Sequence, residues 1–247
     1  MQRRKYKHPP IQEALCEVLF QPGPAWDITF PGRFYEMVKN EYSSPPTEQG
    51  VIEAEVGARP GGQNVKLRQG VGKVLFSTPD GSRLIGLGRD VLSSHFVGSY
   101  PGWEHFRPEI ERALDSYRRL AEPIGVRRVG VRYVNKINVP RGSRIDEYIR
   151  SAPVRVQGLP ETEAFLMRTE SWFSDRLAKL LLTIASVETK SDDAIGVLVD
   201  IDIMREFSDA GDTTGLMGWI DDSKTRLTDT FEALITDEAR RLFDGTD

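Results

Sequence analysis

Hydrophobic and polar residues alternate most strictly in the middle of the chain, from Val126 to Pro140. This period of two predicts a long strand that buries one face. The apolar face comprises Val129, Val131, Tyr133, Ile137 and Val139, interrupted only by Asn135. The polar face comprises Arg128, Arg132, Lys136 and Asn138, with Gly130 among them. We call Arg128, Arg132 and Lys136 the cationic row.

Shorter alternating or apolar segments, bounded by glycine and proline, predict further strands on both sides of this one. In the first half these are Glu13–Phe20, Gly50–Val56, Asn64–Gln69, Lys73–Thr78, Ser82–Leu87 and Val91–Val97. In the second half they are Ala164–Phe173, Ala178–Glu188 and Ala194–Arg205.

Helical periodicity is clearest between Trp103 and Leu120, where Trp103, Phe106, Ile110, Leu114, Tyr117 and Leu120 follow one another at intervals of three or four. This spacing predicts an amphipathic helix lying on a sheet. A second long helix is predicted after Asp212-Thr213, with Leu216, Ile220, Leu227, Phe231 and Leu234 on one side. Shorter helices are predicted with Pro31 in the first turn, over Arg144–Arg150 and over Glu238–Phe243 with Thr236 as N-cap.

The two halves of the chain show the same order of elements: strand, helix, several strands, long helix. Runs of strands between few helices favour an α+β fold, with a largely antiparallel curved sheet covered by two long helices. We expect a candidate internal duplication of the TATA-binding-protein-like or helix-grip-like kind, at a period of about 120 residues. Residues 1–247 are therefore predicted to form one pseudo-duplicated domain, with halves at about 1–123 and 124–247.

Charge and cysteine content narrow the possible environments and partners. The net charge is −4, so the whole molecule is not electrostatically suited to nucleic acid or an anionic membrane. Cys16 is the one cysteine, which excludes an intramolecular disulfide. The sequence contains no apolar run long enough for a membrane span, and we expect a cytoplasmic protein without membrane contact.

Motifs of common enzyme classes are missing from the sequence. It contains no Walker A, GxGxxG, HExxH or GxSxG pattern, and its three histidines have no metal-ligand spacing. The sequence predicts no cofactor. The lack of these motifs favours a non-catalytic protein over an enzyme.

The cationic row, together with Asn138, is the first candidate binding surface. Arginine forks suit phosphates and carboxylates, so these residues could bind an anionic ligand or a nucleic-acid backbone. The alternative interpretation is cross-strand pairing with acidic residues such as Asp200, Asp202, Glu53 or Glu170.

Asp200 and Asp202 are weak candidates for a metal site. They lie two residues apart on a predicted strand and therefore point to the same side, as ligands of a divalent metal would. The alternative is that they belong to the polar face of a half-buried strand, with Val199, Ile201 and Ile203 inward.

Asn135 interrupts the apolar face of the central strand. A buried amide requires hydrogen-bond partners, and such a residue either fixes the register or lines a ligand pocket. Aromatic residues that could line a pocket, or simply belong to the core, are Tyr6, Trp26, Trp103, Trp172 and Trp219.

Three segments are similar to a sporadically distributed bacterial family of unknown function and about this length. They are the opening Tyr6-x-x-Pro9-Pro10-Ile11-x-Glu13-Ala14-x-Cys16-Glu17, the central Arg128-x-Gly130-x-Arg132-Tyr133-x-Asn135-Lys136-Ile137 and the terminal Phe231-Glu232-x-x-Ile235-Thr236-Asp237. The resemblance covers the chain as one unit and implies no assigned active site. The patchy distribution of that family implies horizontal transfer, and with it a role in mobile-element or phage-defence systems.

The leading functional hypothesis is a non-catalytic cytoplasmic binding or accessory module for a partner protein or an anionic ligand. A homo-oligomer is compatible with this hypothesis. The alternative is a nucleic-acid-binding protein that uses the basic strand face. A metal-dependent hydrolase or nuclease is the least favoured alternative.

Overall fold

The computed structural model describes residues 5–22, 26–59, 62–123, 125–151, 164–211 and 215–244, with backbone only for 51–59, 62–71 and 208–211. The strands are β1 Ile11–Phe20, β2 Thr47–Arg59, β3 Gly62–Ser77, β4 Arg83–Gly88, β5 Val91–Val97, β6 Val126–Pro140, β7 Leu166–Trp172, β8 Lys179–Val187 and β9 Ala194–Gly211. The helices are α1 Phe30–Val38, α2 Trp103–Ala121, α3 Leu216–Leu234 and α4 Asp237–Asp244, with a 3₁₀ turn at Ile145–Glu147.

All nine strands of the described residues join one open, curved antiparallel sheet in the order β2-β3-β4-β5-β1-β6-β9-β8-β7. The α+β prediction is therefore confirmed. The central strand of the sequence is β6, which pairs with β1 on one side and with β9 on the other. Its register places Tyr133 opposite Ala14 and Ile201.

One face of the sheet forms the core beneath the long helices. Alternate residues of β1, β6 and β9 point to this helix face and are almost fully buried, as the strand periodicity predicts. α2 covers it with Phe106, Ile110 and Leu114, and α3 contributes Leu216, Ile220, Leu227, Phe231 and Leu234. We call the opposite side, which carries the cationic row, the open face.

Two segments differ from the sequence prediction. The strands predicted at Asn64–Gln69 and Lys73–Thr78 form one continuous strand, β3. The glycines at 70 and 72 do not interrupt it, because β2 pairs with Gly70 and Val71 through Val51 and Gly50. The short helix predicted over Arg144–Arg150 is only the 3₁₀ turn, and Ile149 instead bridges Ile235.

The two halves of the chain meet at the antiparallel pair β1–β6, from which β5-β4-β3-β2 extend on one side and β9-β8-β7 on the other. The internal duplication and the single-domain assignment stay predictions. Among the described helices, none is long and apolar enough to cross a membrane.

Candidate functional site

The open face carries the cationic row, and each of its side chains has a partner. The Arg132 guanidinium binds Asp200 with two bonds, from Nε to Oδ1 at 2.7 Å and from Nη2 to Oδ2 at 2.6 Å. Asp200 is only 9% exposed, whereas the Arg132 side chain is 40% exposed, so the aspartate is shielded from water and the arginine is not. The pairing of the arginine and the aspartate across neighbouring strands is one of the alternatives that the sequence offers.

Arg128 joins a second charge network with β1 and β3. Its Nη2 donates to Glu17 Oε1, and Lys73 Nζ donates to Glu17 Oε2 at 2.6 Å. The two cations lower the pKa of the Glu17 carboxyl although burial raises it. Glu17 is therefore the anion that Arg128 already holds.

Lys136 and Asn138 lie further along β6. Lys136 Nζ donates to the Glu188 carbonyl oxygen at 2.6 Å, and Thr189 Oγ1 donates to Asn138 Oδ1 at 3.3 Å. An anion that bound to the row would have to displace these contacts. The use of the row as a binding surface stays a prediction, which the observed pairing does not favour.

Nucleic-acid binding directly tests whether the cationic row is a binding surface. Because Arg128 and Arg132 are paired with acids and Lys136 alone of the row keeps its charge without an acidic partner among the described residues, we expect no salt-dependent retention of DNA or RNA in filter-binding titrations that start from low salt. Retention that falls steeply with salt, and that weakens when Lys136 is replaced by alanine, would contradict this expectation.

Asp202 is the unusual acid of the open face. It lies opposite Arg132 on β9, yet among the described residues it has no ion pair or hydrogen bond. Burial raises the pKa of the Asp202 carboxyl to about 6, and Arg132 and Arg128 only partly oppose this effect. Gly130 leaves room for it, since a Cβ there would lie 3.3 Å from Asp202 Oδ1.

The metal hypothesis for Asp200 and Asp202 gains no support from the geometry. Asp200 is occupied by Arg132. Across the described part of the chain, no three residues among histidine, cysteine, aspartate and glutamate are grouped so that they could hold a metal ion.

A hydrogen-bonded chain of Glu13, His95 and Ser93 also lies on the open face, and no sequence motif indicated it. His95 Nδ1 lies 2.8 Å from Glu13 Oε1, and His95 Nε2 lies 2.9 Å from Ser93 Oγ. The order resembles a nucleophile relay. However, Ser93 is 1% exposed, with Lys73 Nζ donating to its Oγ at 3.2 Å. A substrate cannot reach a serine covered in this way.

A cleft of about 390 Å³ opens on the other side of the molecule, between the N-terminal segment and the two long helices. Its floor is formed by the β6 residues Tyr133 and Asn135. Its walls are mostly aromatic and apolar, from Tyr6, Pro9, Pro10, Ile11, Tyr100, Pro101, Trp103, Leu227 and Phe231. This combination of an apolar lining and a few polar groups is typical of small-molecule sites.

Asn135 contributes a polar group to the cleft floor although it is only 1% exposed. Its Nδ2 donates to the Val199 carbonyl at 3.0 Å and to the Tyr133 carbonyl at 3.3 Å. Carbonyl oxygens only accept hydrogen bonds, so the amide group that faces these two carbonyls must be the Asn135 nitrogen. Asn135 Oδ1 has no donor within the described residues and is not among the fully buried unpaired atoms, so it stays accessible from the cleft.

Two tyrosines complete the polar part of the floor. The Tyr100 and Tyr133 hydroxyl oxygens lie 2.7 Å apart and share one hydrogen bond. Burial raises the pKa of both hydroxyls well above the usual range, so both stay protonated at neutral pH. The floor is therefore polar but uncharged.

The charged residues lie at the mouth of the cleft. Lys5 Nζ donates to Glu104 Oε1 at 3.0 Å, in the first turn of α2. Lys7 lines the same mouth and has no ion pair among the described residues. Tyr6 donates through its hydroxyl to Glu232 Oε1 at 2.6 Å, which attaches the N-terminal segment to α3.

The structure brings together only some of the residues singled out in the sequence. Asn135, Tyr6 and Trp103 line the cleft, as the pocket interpretation of the sequence proposed. The other three tryptophans lie elsewhere: Trp26 packs on Phe30, Trp219 packs on Phe207, and Trp172 is half-exposed on β7.

Comparison with known proteins gives no assignment, since no family model matches the chain and no curated protein is significantly similar to it. The resemblance to the sporadically distributed bacterial family therefore stays a prediction.

Proposed function

We propose that this protein is a non-catalytic binding module that holds a ligand in the cleft between the N-terminal segment, α2 and α3. The observation that carries the proposal is the nearly buried Asn135 amide, whose donors are used and whose acceptor faces no partner. A ligand that donates to Asn135 Oδ1 would make a hydrogen bond in a largely desolvated position. The aromatic walls would supply the apolar contact.

A binding role is supported further by the state of the open face. Arg132, Arg128 and Asp200 are held in internal ion pairs, and Ser93 lies under Lys73. These groups stabilise the sheet in their present arrangement. The cleft, in contrast, already has volume for a ligand.

The biological setting that we propose is the cytoplasm, with a role in mobile-element or phage defence as the family resemblance implies. The ligand would be a small molecule, or a side chain of a partner protein that enters the cleft. The genes that neighbour this one would identify the partner.

A cleft-filling substitution tests the binding role. We expect a fragment library, screened by thermal shift, to contain compounds that stabilise the wild type but not the Thr228→Phe variant. Thr228 lies on α3 and lines the cleft, so a phenyl ring there would occupy the ligand volume. The shift follows from mass action, since a ligand that binds only the folded state raises the unfolding midpoint.

Thr230→Phe is the matched control. Thr228 donates to the Lys224 carbonyl at 3.0 Å and Thr230 to the Arg226 carbonyl at 2.8 Å, so both threonines make the same contact on one helix. Only Thr228 lines the cleft. The proposal fails if no fragment stabilises the wild type, or if all active fragments stabilise Thr228→Phe equally.

A further inference from the structure

We propose that the ligand of the cleft is an aromatic carboxylate that carries an N–H donor on its ring. This inference rests on the binding role proposed above and specifies the ligand class. Three parts of the cleft carry it: the acceptor on the floor, the aromatic walls and the cationic mouth.

The floor requires a hydrogen-bond donor. Both amide hydrogens of Asn135 are directed at backbone carbonyls, so only Oδ1 remains for a ligand. A ring N–H satisfies this acceptor without bringing charge into the interior. A charged donor is disfavoured because Asn135 and Tyr133 are almost fully buried, and Tyr100 and Tyr133 stay neutral.

The walls favour a flat ring. Tyr100, Tyr133, Trp103 and Phe231 surround the volume, and Tyr100 and Tyr133 have their ring centroids 5.2 Å apart. Aromatic rings gain free energy by stacking or by edge-to-face contact with one another. An aromatic body therefore fits better than a sugar or a flexible polar chain.

The mouth favours an anion. α2 begins at Trp103, its N-cap residue Gly102 has no side chain to cap it, and its N-terminal end is electropositive. Three cations, Lys5, Lys7 and Lys224, line the cleft with two acids, Glu104 and Glu232, and Lys5 binds Glu104.

Glu104 shows that a carboxylate fits at this position. Its side chain accepts from its own backbone N–H and from Lys5, and these contacts lower the pKa of the Glu104 carboxyl. Gly102, with a φ of +111°, makes room, since a Cβ there would lie 2.7 Å from Glu104 Oε2. The Glu104 side chain is half-exposed, so a ligand carboxylate can replace it at little cost.

Indole-3-acetate is a suitable probe because it combines a flat ring, a ring N–H and a carboxylate. We expect calorimetric titration of the full chain to show one saturable site. The affinity should fall about tenfold for 1-methylindole-3-acetate, which lacks the N–H donor, because Asn135 Oδ1 would then stay unpaired. Indole-3-acetamide, which lacks the charge, should lose a similar factor.

The Glu104→Gln variant provides a readout that a general loss of structure would not produce. Removing the competing carboxylate should tighten the binding of indole-3-acetate several-fold, while the affinity for indole-3-acetamide stays unchanged. Glu111→Gln, on the exposed side of the same helix, is the control and should change neither affinity.

The outcomes separate this inference from the proposed function. The inference is overturned if the acid, the amide and the N-methyl compound bind equally, or if none binds while other fragments still stabilise the protein through the cleft. The binding role itself fails only if the Thr228→Phe variant responds to every fragment as the wild type does, or if no fragment binds at all.

Discussion

Replacing Arg132 with alanine is expected to lower the free energy of unfolding by about 2–3 kcal/mol, because it leaves a buried charge without its partner. Asp200 is 9% exposed and makes two hydrogen bonds to Arg132 across the β6–β9 pair. Asp202 lies beside it and is also stabilised by Arg132. The substitution would therefore leave two acids close together without the cation that separates them.

Urea denaturation at pH 7 measures this effect, and Arg144→Ala is the matched control. Arg144 also binds an aspartate, Asp146, through two nitrogens, but this pair lies on the surface. Its loss should not change the unfolding midpoint, because water replaces an exposed partner. Adding Asp200→Ala to Arg132→Ala should restore part of the loss. Equal effects of the two arginine substitutions would contradict the role of the shielded Asp200.

Replacing Asp202 with asparagine is expected to stabilise the protein by about 3 kcal/mol at pH 8, since each pKa unit corresponds to about 1.4 kcal/mol. Burial raises the pKa of the Asp202 carboxyl to about 6 from an ordinary 3.8. At pH 8 the wild type therefore holds an unfavourable charge in the folded state. Asparagine has nearly the same shape and no charge.

The stabilisation should disappear as the pH falls. When the pH falls from 6 to 3.8, Asp202 is protonated in the folded protein but still ionised in the unfolded chain. The contribution of Asp202 to the free energy of unfolding therefore increases as the pH falls. It is complete below about pH 3.8 and is lost as the pH rises through 6. The difference between wild type and Asp202→Asn should thus be largest at pH 8 and close to zero near pH 4.

Asp80 is a control whose effect on stability should have the opposite pH dependence. The side-chain hydrogen bond from Thr78, together with contacts from Ser82, lowers the pKa of the Asp80 carboxyl to about 2. Its stabilising contribution is present above pH 3.8 and is lost as the pH falls through about 2. Asp80→Asn should therefore destabilise the protein at pH 8. A pH-independent effect of Asp202→Asn would contradict the raised pKa.

Much of the fold could be predicted because its signals are local. The alternation in β6 and the spacing of apolar residues in α2 each indicate one buried face, and both faces are buried as predicted. The continuity of β3 could not be predicted, because glycines usually mark strand ends. Pairing with β2, a tertiary contact, keeps the strand intact at Gly70.

The candidate sites were less accessible to sequence reasoning because they depend on contacts between distant residues. The pattern of β6 placed Arg132 on the polar face, but only the sheet order shows that Asp200 neutralises it. Asn135 was recognised as exceptional within an apolar row. Its unused acceptor could not be recognised, since it depends on the positions of two backbone carbonyls.

The position of β1 has a consequence for biosynthesis. Although β1 is made before the other eight strands of the sheet, its neighbours are β5 and β6, and register with β6 extends as far as Asn135. During translation one edge stays without its partner until β5 has been made, and the other stays without β6 until more than half of these 247 residues have been made. Strand edges that wait in this way are sites of aggregation. The nascent chain therefore depends on protection of the segment Ile11–Phe20, and slower elongation before β6 would prolong this vulnerable stage.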